Sequence, residues 1–439
     1  MVAPNQVHNI LSQSILADGF DIVLDLVRSH GSWIVDARDQ SAYLDMFSFF
    51  ASSALGMNHP ALVDDVSFRA ELLEAAINKP SNSDMYSMPF AEFVATFRRI
   101  LGDPELPHLF FIDGGANAVE NALKVAFDWK SRHNESLGIS PALGGRVLHL
   151  TDAFHGRSGY TLSLTNTEPI KTARFPQFNW PRIRAPYPGT DRSGHARNMP
   201  ELEKLSLKQA RSAFLERPND IACFIAEPIQ GEGGDHHLSS QFLQAMQELC
   251  RENNALFVVD EVQTGCGFTG TRWAYEQLGI APDVVVFGKK THICGIMAGR
   301  RVDEVEDNVF RVSSRINSTF GGNLADMVRA RKILEVIHRD GLIDAAREKG
   351  HHLLQLLQRL ANKHRVVSDP RGRGLMCAVT LPTREVRDTV IQKMKSDHHV
   401  LILGCGERSL RFRPTLTVTE DELNAAVDAL DAVLSSDPI

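Results

Sequence analysis

Five short apolar runs, separated by segments of helical length, dominate the middle of this chain. They occupy residues 109–112, 147–150, 222–226, 256–259 and 284–287. Apart from His149 these runs stay apolar without polar alternation, which marks strands buried on both faces. The spacers leave room for helical crossovers, which parallel strands need. The pattern therefore predicts an α/β architecture, a mainly parallel sheet covered by helices on both sides.

Two of these runs end abruptly in charge. Asp260 closes one, and Gly288-Lys289 follows the other. Ligands of such sheets bind at the carboxyl ends of the strands. A lysine and an aspartate on one rim are what pyridoxal 5'-phosphate chemistry requires. The lysine forms a Schiff base, and the aspartate keeps the ring nitrogen protonated so that the ring acts as an electron sink. Glu261 adjoins Asp260, but neighbouring strand residues face opposite ways, which weakens a shared metal site. Lys290 competes with Lys289. Lys289 is the better placed, directly after the glycine that ends the strand, and Lys290 reads as a neighbour or a structural cation.

Other candidates also follow the apolar runs. Gly114-Gly115-Ala116-Asn117 precedes a helix with Val119, Leu123, Ala126 and Phe127 on one face. It is either an anion cradle at a helix N-terminus or an ordinary turn. Phe154-His155-Gly156-Arg157 suits a planar ligand with an anionic tail, and it also reads as a core ring beside a solvated arginine. Glu227 and Glu232 flank Pro, Gln and Gly in what reads as a rigid loop, not a helix face. Arg411 and Arg413 alternate along a strand, so they share one side of it. Each can serve a carboxylate or sit on the surface.

The surrounding chain divides into three parts: an N-terminal segment 1–64 belonging to a smaller domain, a large domain 65–322, and a C-terminal α+β portion 323–439. A helix is expected from Val7 to Ile15, and surface excursions at 131–145 and 186–200. The last helix should open with a capping box at Thr419–Glu422. The 439 residues carry 47 basic and 54 acidic side chains, a net charge of −7 that disfavours nucleic acid or an anionic membrane as partner. No signal peptide is visible, and no apolar run approaches the ~18 residues of a membrane span. Six scattered cysteines without a CxxC pair read as reduced thiols of a cytoplasmic protein. The histidine doublets, His236-His237 among them, read as solvated, and no metal site is expected.

Together these motifs resemble the class III (ω-amino acid) aminotransferases of fold type I, over nearly the whole chain. Gly114-Gly115-Ala116, Phe154–Arg157, Glu227–Glu232, Asp260–Gly265, Gly288-Lys289 and Arg411–Pro414 carry the resemblance. Residues 78–84, 127–134 and 158–166 resemble the branch that acts on the terminal amine of L-lysine, with 2-oxoglutarate as acceptor. The aminobutyrate and ornithine branches, and a pyridoxal phosphate aminomutase, stay as alternatives. The resemblance implies Lys289 as Schiff-base lysine, Asp260 at the ring nitrogen, Gln263 near the ring hydroxyl and Phe154 over the ring. Gly115 and Ala116 would bind phosphate, helped by Thr319 from the second subunit of a homodimer with active sites at the subunit interface. Arg157 would take the substrate carboxylate, and Glu232 with Arg411 would form a switchable pair.

Overall fold

The computed structural model describes residues 2–190 and 195–436. All five apolar runs are strands of one sheet: His108–Ile112, Arg146–Leu150, Ile221–Ala226, Leu256–Asp260 and Val284–Phe287. Two strands absent from the sequence reading bring the sheet to seven, Arg182–Ile183 and Cys294–Ala298. The spatial order is His108–Ile112, Cys294–Ala298, Val284–Phe287, Leu256–Asp260, Ile221–Ala226, Arg146–Leu150, Arg182–Ile183. Cys294–Ala298 runs antiparallel to both neighbours, and every other pairing is parallel. The sheet is thus mainly parallel. Cys294–Ala298 pairs across to Phe110 and Phe111, a contact so distant in sequence that no local pattern announces it.

Unbroken apolar strands have a physical reason here. Phe224, Phe257, Val259, Val285 and Phe287 enter one core, while Cys223, Ile225, Val258, Val284 and Val286 enter another with the Gly115–Ser136 helix. Successive side chains point to opposite faces, so a sheet covered on both sides is apolar at nearly every position, the buried His149 being an exception. The same helix corrects the reading of 131–145, because it continues to Ser136. Asn134 is buried on it and donates to the carbonyls of Leu143 (3.3 Å) and Asn219 (3.0 Å). These polar residues looked solvated in sequence because their partners are tertiary.

Beyond Gly322, the Leu324–Arg339 helix lies against Val66–Ile77 and Met88–Ile100, with Lys332 bonded to Asp65 at 2.6 Å and Arg331 to Glu71 and Glu92. A four-stranded antiparallel sheet follows, in the order Ser368–Arg373, Met376–Thr380, Ser409–Phe412, Leu403–Cys405. A smaller sheet joins the N-terminal and C-terminal portions, with Ala42–Asp45 paired to Trp33–Val35 on one side and to Val400–Leu401 on the other. The capping box forms: Thr419 N donates to Glu422 Oε2 (2.8 Å) and Glu422 N to Thr419 Oγ1 (3.2 Å).

Two expectations need adjustment here. The N-terminal helix spans only Val7–Ser12. His236–His237 is not a solvated doublet but a short strand paired with Ile229–Gln230, and the His236 ring stacks on Tyr187. The 186–200 excursion includes 191–194, which lie outside the described residues. No helix among the described residues is long and apolar enough to cross a membrane.

Candidate active site

Leu256–Asp260 and Val284–Phe287 are adjacent parallel strands, with Asp260 in register with Val286. Lys289 follows three residues later and leaves the same rim. Its backbone is left-handed (φ 54°), and the turn separates the two lysines. Lys289 lines a cleft of about 490 Å³ that also holds Asp260. Lys290 points the other way, buried, with Nζ 3.6 Å from the centre of the Phe268 ring. The competition between them is therefore decided by the turn.

A second left-handed segment faces both amines. Ser48, Phe49, Phe50 and Ala51 have φ of 41°, 52°, 57° and 66°, a conformation costing about 1–2 kcal/mol per residue. Asp45 Oδ1 holds it by accepting from Phe47 N (2.8 Å) and Ser48 N (2.7 Å). In return it presents carbonyls: Phe50 O accepts from Lys289 Nζ at 2.8 Å, and Ala51 O from Lys290 Nζ at 2.6 Å. Burial pushes the Lys289 amine down to about 8, and the nearby Arg411 charge works in the same direction.

Eight of the ten sequence candidates line this cleft: Gly115, Ala116, Phe154, Arg157, Glu232, Asp260, Gln263 and Lys289. Arg411, fully buried, reaches it through Glu232, whose Oε1 lies 2.7 Å from Arg411 Nη1. Burial alone would raise the Glu232 carboxyl. The charges of Arg411, Lys289 and Lys171 outweigh it and hold the group below its ordinary value. Glu232 sits on a helical turn, Gly231–Gly234, where the sequence suggested a plain loop. Arg157 is exposed beside the Phe154 ring, and among the described residues no carboxylate pairs with it. Thr319 is not brought to the cleft of its own chain. It is exposed, and its carbonyl accepts from Ser81 Oγ. Arg413 is buried against Asp235 and donates Nε to Gln263 Oε1 at 3.1 Å, so it supports the site from behind.

Four contributors had no role assigned from the sequence. His155 Nδ1 lies 2.7 Å from Asp260 Oδ2, while Val262 N donates to Asp260 Oδ1 at 3.0 Å. Burial would lower this imidazole, but the hydrogen bond and charge of Asp260 leave it raised. Glu227 accepts from Phe154 N (3.0 Å) and Gly231 N (3.1 Å), tying the aromatic platform to the turn that bears Glu232. Its burial pushes the carboxyl up to about 8. Phe50 lines the mouth, and Lys171 approaches Glu232. His155 and Glu227 lay within motifs already singled out, a usable signal. For Lys171 the sequence held none.

The donor set fits pyridoxal phosphate. The Gly115–Ser136 helix begins at the cleft behind Gly114 (φ 89°), with no side chain capping it, so its first N–H groups are free for a phosphate. Asp260 offers a fixed carboxylate for a protonated ring nitrogen, Phe154 a ring face, and Lys289 an amine.

This arrangement defines an α/β enzyme cleft built for amine chemistry on a planar cofactor. The family model for class-III aminotransferases matches residues 16–434, and the chain belongs to that family. It is 62% identical over 434 residues to the L-lysine-epsilon aminotransferase of Mycobacterium tuberculosis, covering 98% of this chain and 96% of that protein. A solved lysine aminotransferase of M. tuberculosis, in the internal aldimine form, superposes with a TM-score of 0.96 at 62% identity, over 98% of this chain and 99% of that one. A probable mitochondrial 4-aminobutyrate aminotransferase of Caenorhabditis elegans is far less similar, 33% identical with 94% and 87% covered.

Proposed function

We propose that this chain is an L-lysine 6-aminotransferase. It moves the terminal amino group of L-lysine to 2-oxoglutarate, giving L-glutamate and 2-aminoadipate 6-semialdehyde, which cyclises to piperideine-6-carboxylate. Pyridoxal 5'-phosphate, when bound, supplies the electron sink for proton loss at the carbon that bears the amine. Gly115 and Ala116 hold its phosphate through backbone N–H groups, Asp260 its ring nitrogen, Phe154 its face, and Gln263 its hydroxyl. Lys289 moves the proton, and its depressed basicity leaves a useful fraction of neutral amine near pH 8.

The observation that carries the reading is the Glu232–Arg411 pair at 2.7 Å in the Lys289 cleft. The ε-carbon of lysine bears no carboxylate, and a buried arginine beside it needs a counter-charge. Glu232 supplies one, while Arg157 binds the distant carboxylate. The acceptor brings a carboxylate next to its reacting carbon, so Glu232 withdraws and Arg411 binds that group. Arg157 then holds the far one. The two halves alternate, so the kinetics are ping-pong. An aminomutase has no second, dicarboxylate substrate and no need of such a switch. Glu232→Ala tests the reading: in single turnovers the lysine half-reaction should suffer more than the glutamate half-reaction. Equal losses would sink it. Glutamate formation from lysine, ornithine and 4-aminobutyrate tests the donor, and reaction with 4-aminobutyrate alone would transfer the chain to that branch.

The same proposal takes the enzyme as a homodimer in which Thr319 reaches the phosphate of the other subunit. Exposed Met85, Tyr86, Met88 and Phe320 near the Thr319 segment support a covered surface there. Six free cysteines suit a reducing cytoplasm. The divisions at 64 and 322 are proposed as domain boundaries.

A further inference from the structure

A carboxylate that leaves Arg411 inside a largely buried cleft needs somewhere to go. The backbone around Glu232 is pinned on every side. Gly231 N donates to Glu227 Oε2 at 3.1 Å, Gly406 N to Glu232 O at 2.9 Å, and Arg371 Nη2 to Gly234 O at 2.6 Å. Glu232 can therefore withdraw only by rotating its side chain. Its Oε1 faces Arg411, and its Oε2 lies 3.8 Å from Lys171 Nζ. Lys289 also attracts this carboxylate, but its amine is held by the Phe50 carbonyl and is the group the chemistry uses.

Lys171 sits on the Pro169–Lys171 turn, with its side chain only 13% exposed. Its Nζ is 5.4 Å from the centre of the Phe154 ring, 3.3 Å from Thr167 Oγ1 and 3.5 Å from Glu168 Oε2. Two acids thus share one lysine. Glu168 has a second cation, since its Oε1 is 3.7 Å from Arg384 Nη1. Glu232 has Arg411 and Lys171 as its two cations among the ion pairs of the described residues, so once it leaves Arg411 it has Lys171 alone.

We propose that Lys171 is the station that receives the Glu232 carboxylate when it leaves Arg411, with Glu168 releasing Lys171 and falling back on Arg384. This rests on the switch reading above and adds a positioning residue to it. The chain Arg411–Glu232–Lys171–Glu168–Arg384 keeps every carboxylate paired in both positions. Neither position then leaves an uncompensated charge in the cleft, the condition that makes a two-state pair cheap to throw. Lys171 touches no reacting atom. Its effect is confined to the half-reaction in which Glu232 must be displaced.

The test follows both half-reactions of the holoenzyme by stopped-flow absorbance of the bound cofactor. In Lys171→Met, kcat/KM of the 2-oxoglutarate half-reaction should fall about tenfold, the scale of losing one close charge pair. The lysine half-reaction should stay within about twofold of the parent, and Lys171→Arg should restore the loss. Glu168→Gln should act oppositely, raising the dicarboxylate half-reaction about twofold to threefold by freeing Lys171. In a Glu232→Ala background, Lys171→Met should have no further selective effect. Equal losses in both halves, no loss in either, or failure of arginine to rescue would overturn the proposal. If Lys171→Met does not fold, the sign of the Glu168→Gln effect decides alone. A Glu232→Ala enzyme that loses both halves equally removes the switch itself. Selective loss there with a neutral Lys171→Met removes only the station.

Discussion

Replacing Lys289 by methionine should make the cofactor-free protein more stable at pH 7, although it abolishes turnover. The amine lies in a mostly enclosed cleft, and burial lowers it from 10.5 to about 8. At about 1.36 kcal/mol per pH unit, holding it charged costs the fold roughly 3 kcal/mol. Solvent contact at this partly buried group reduces that to about 2 kcal/mol. Methionine forfeits the hydrogen bond to the Phe50 carbonyl, a loss of about 1 kcal/mol. The net gain at pH 7 is about 1 kcal/mol. The sign then reverses with pH. Between pH 8 and 10.5 the unfolded lysine binds more protons than the folded one, so wild-type stability rises through that window relative to the variant. Above it only the lost hydrogen bond remains, and the variant should be the less stable by about 1 kcal/mol. Urea midpoints of both proteins from pH 7 to pH 11 give the difference directly, and taking the difference cancels other groups that titrate there. A difference that stays flat across pH 8–10.5, or a variant less stable at pH 7, would refute the claim that the Lys289 amine is held against its own solvation.

Two other perturbations probe the frame of the site. Arg413 and Asp235 are both buried, and Asp235→Ala leaves an uncompensated guanidinium, expected to cost about 3–5 kcal/mol in a urea titration. Asp235→Leu combined with Arg413→Met should recover most of that loss. A single variant within about 1 kcal/mol of the parent would contradict the burial argument. Gly156 has φ 124°, and a Cβ placed there would lie 2.5 Å from Ala116 Cβ. Gly156→Ala should therefore push on the helix N-terminus assigned to the phosphate and weaken cofactor binding at least about tenfold, or 1.4 kcal/mol, read as loss of cofactor absorbance on dialysis. Unchanged retention would detach that helix end from the cofactor.

The parallel sheet was legible because covering both faces demands apolar residues at nearly every strand position, and 222–226 and 256–259 meet that demand openly. The Asp260–Lys289 rim was legible for the same reason: the strands stop where charge begins, and parallel neighbours stop on the same side. The helix after Gly114 and the Thr419–Glu422 cap follow from local turn and capping chemistry. What stayed hidden depended on partners far along the chain. Cys294–Ala298 completes its pairing only against His108–Ile112, far earlier in the chain. Asn134 and His236 looked solvated until tertiary contacts enclosed them.

By itself, then, the sequence determined the α/β class, the strand rim that carries Lys289 and Asp260, and most of the residues that meet there, because backbone periodicity and strand-end position are local properties. The tertiary structure added the physical reason that Lys289 and not Lys290 enters the cleft, a left-handed turn at Lys289. It alone buried Arg411 and Arg413, set His155 on Asp260, and brought Lys171 to Glu232. Those are pairings of charge across long loops, and a charge reveals its partner only when the chain has folded and water has been excluded from between them.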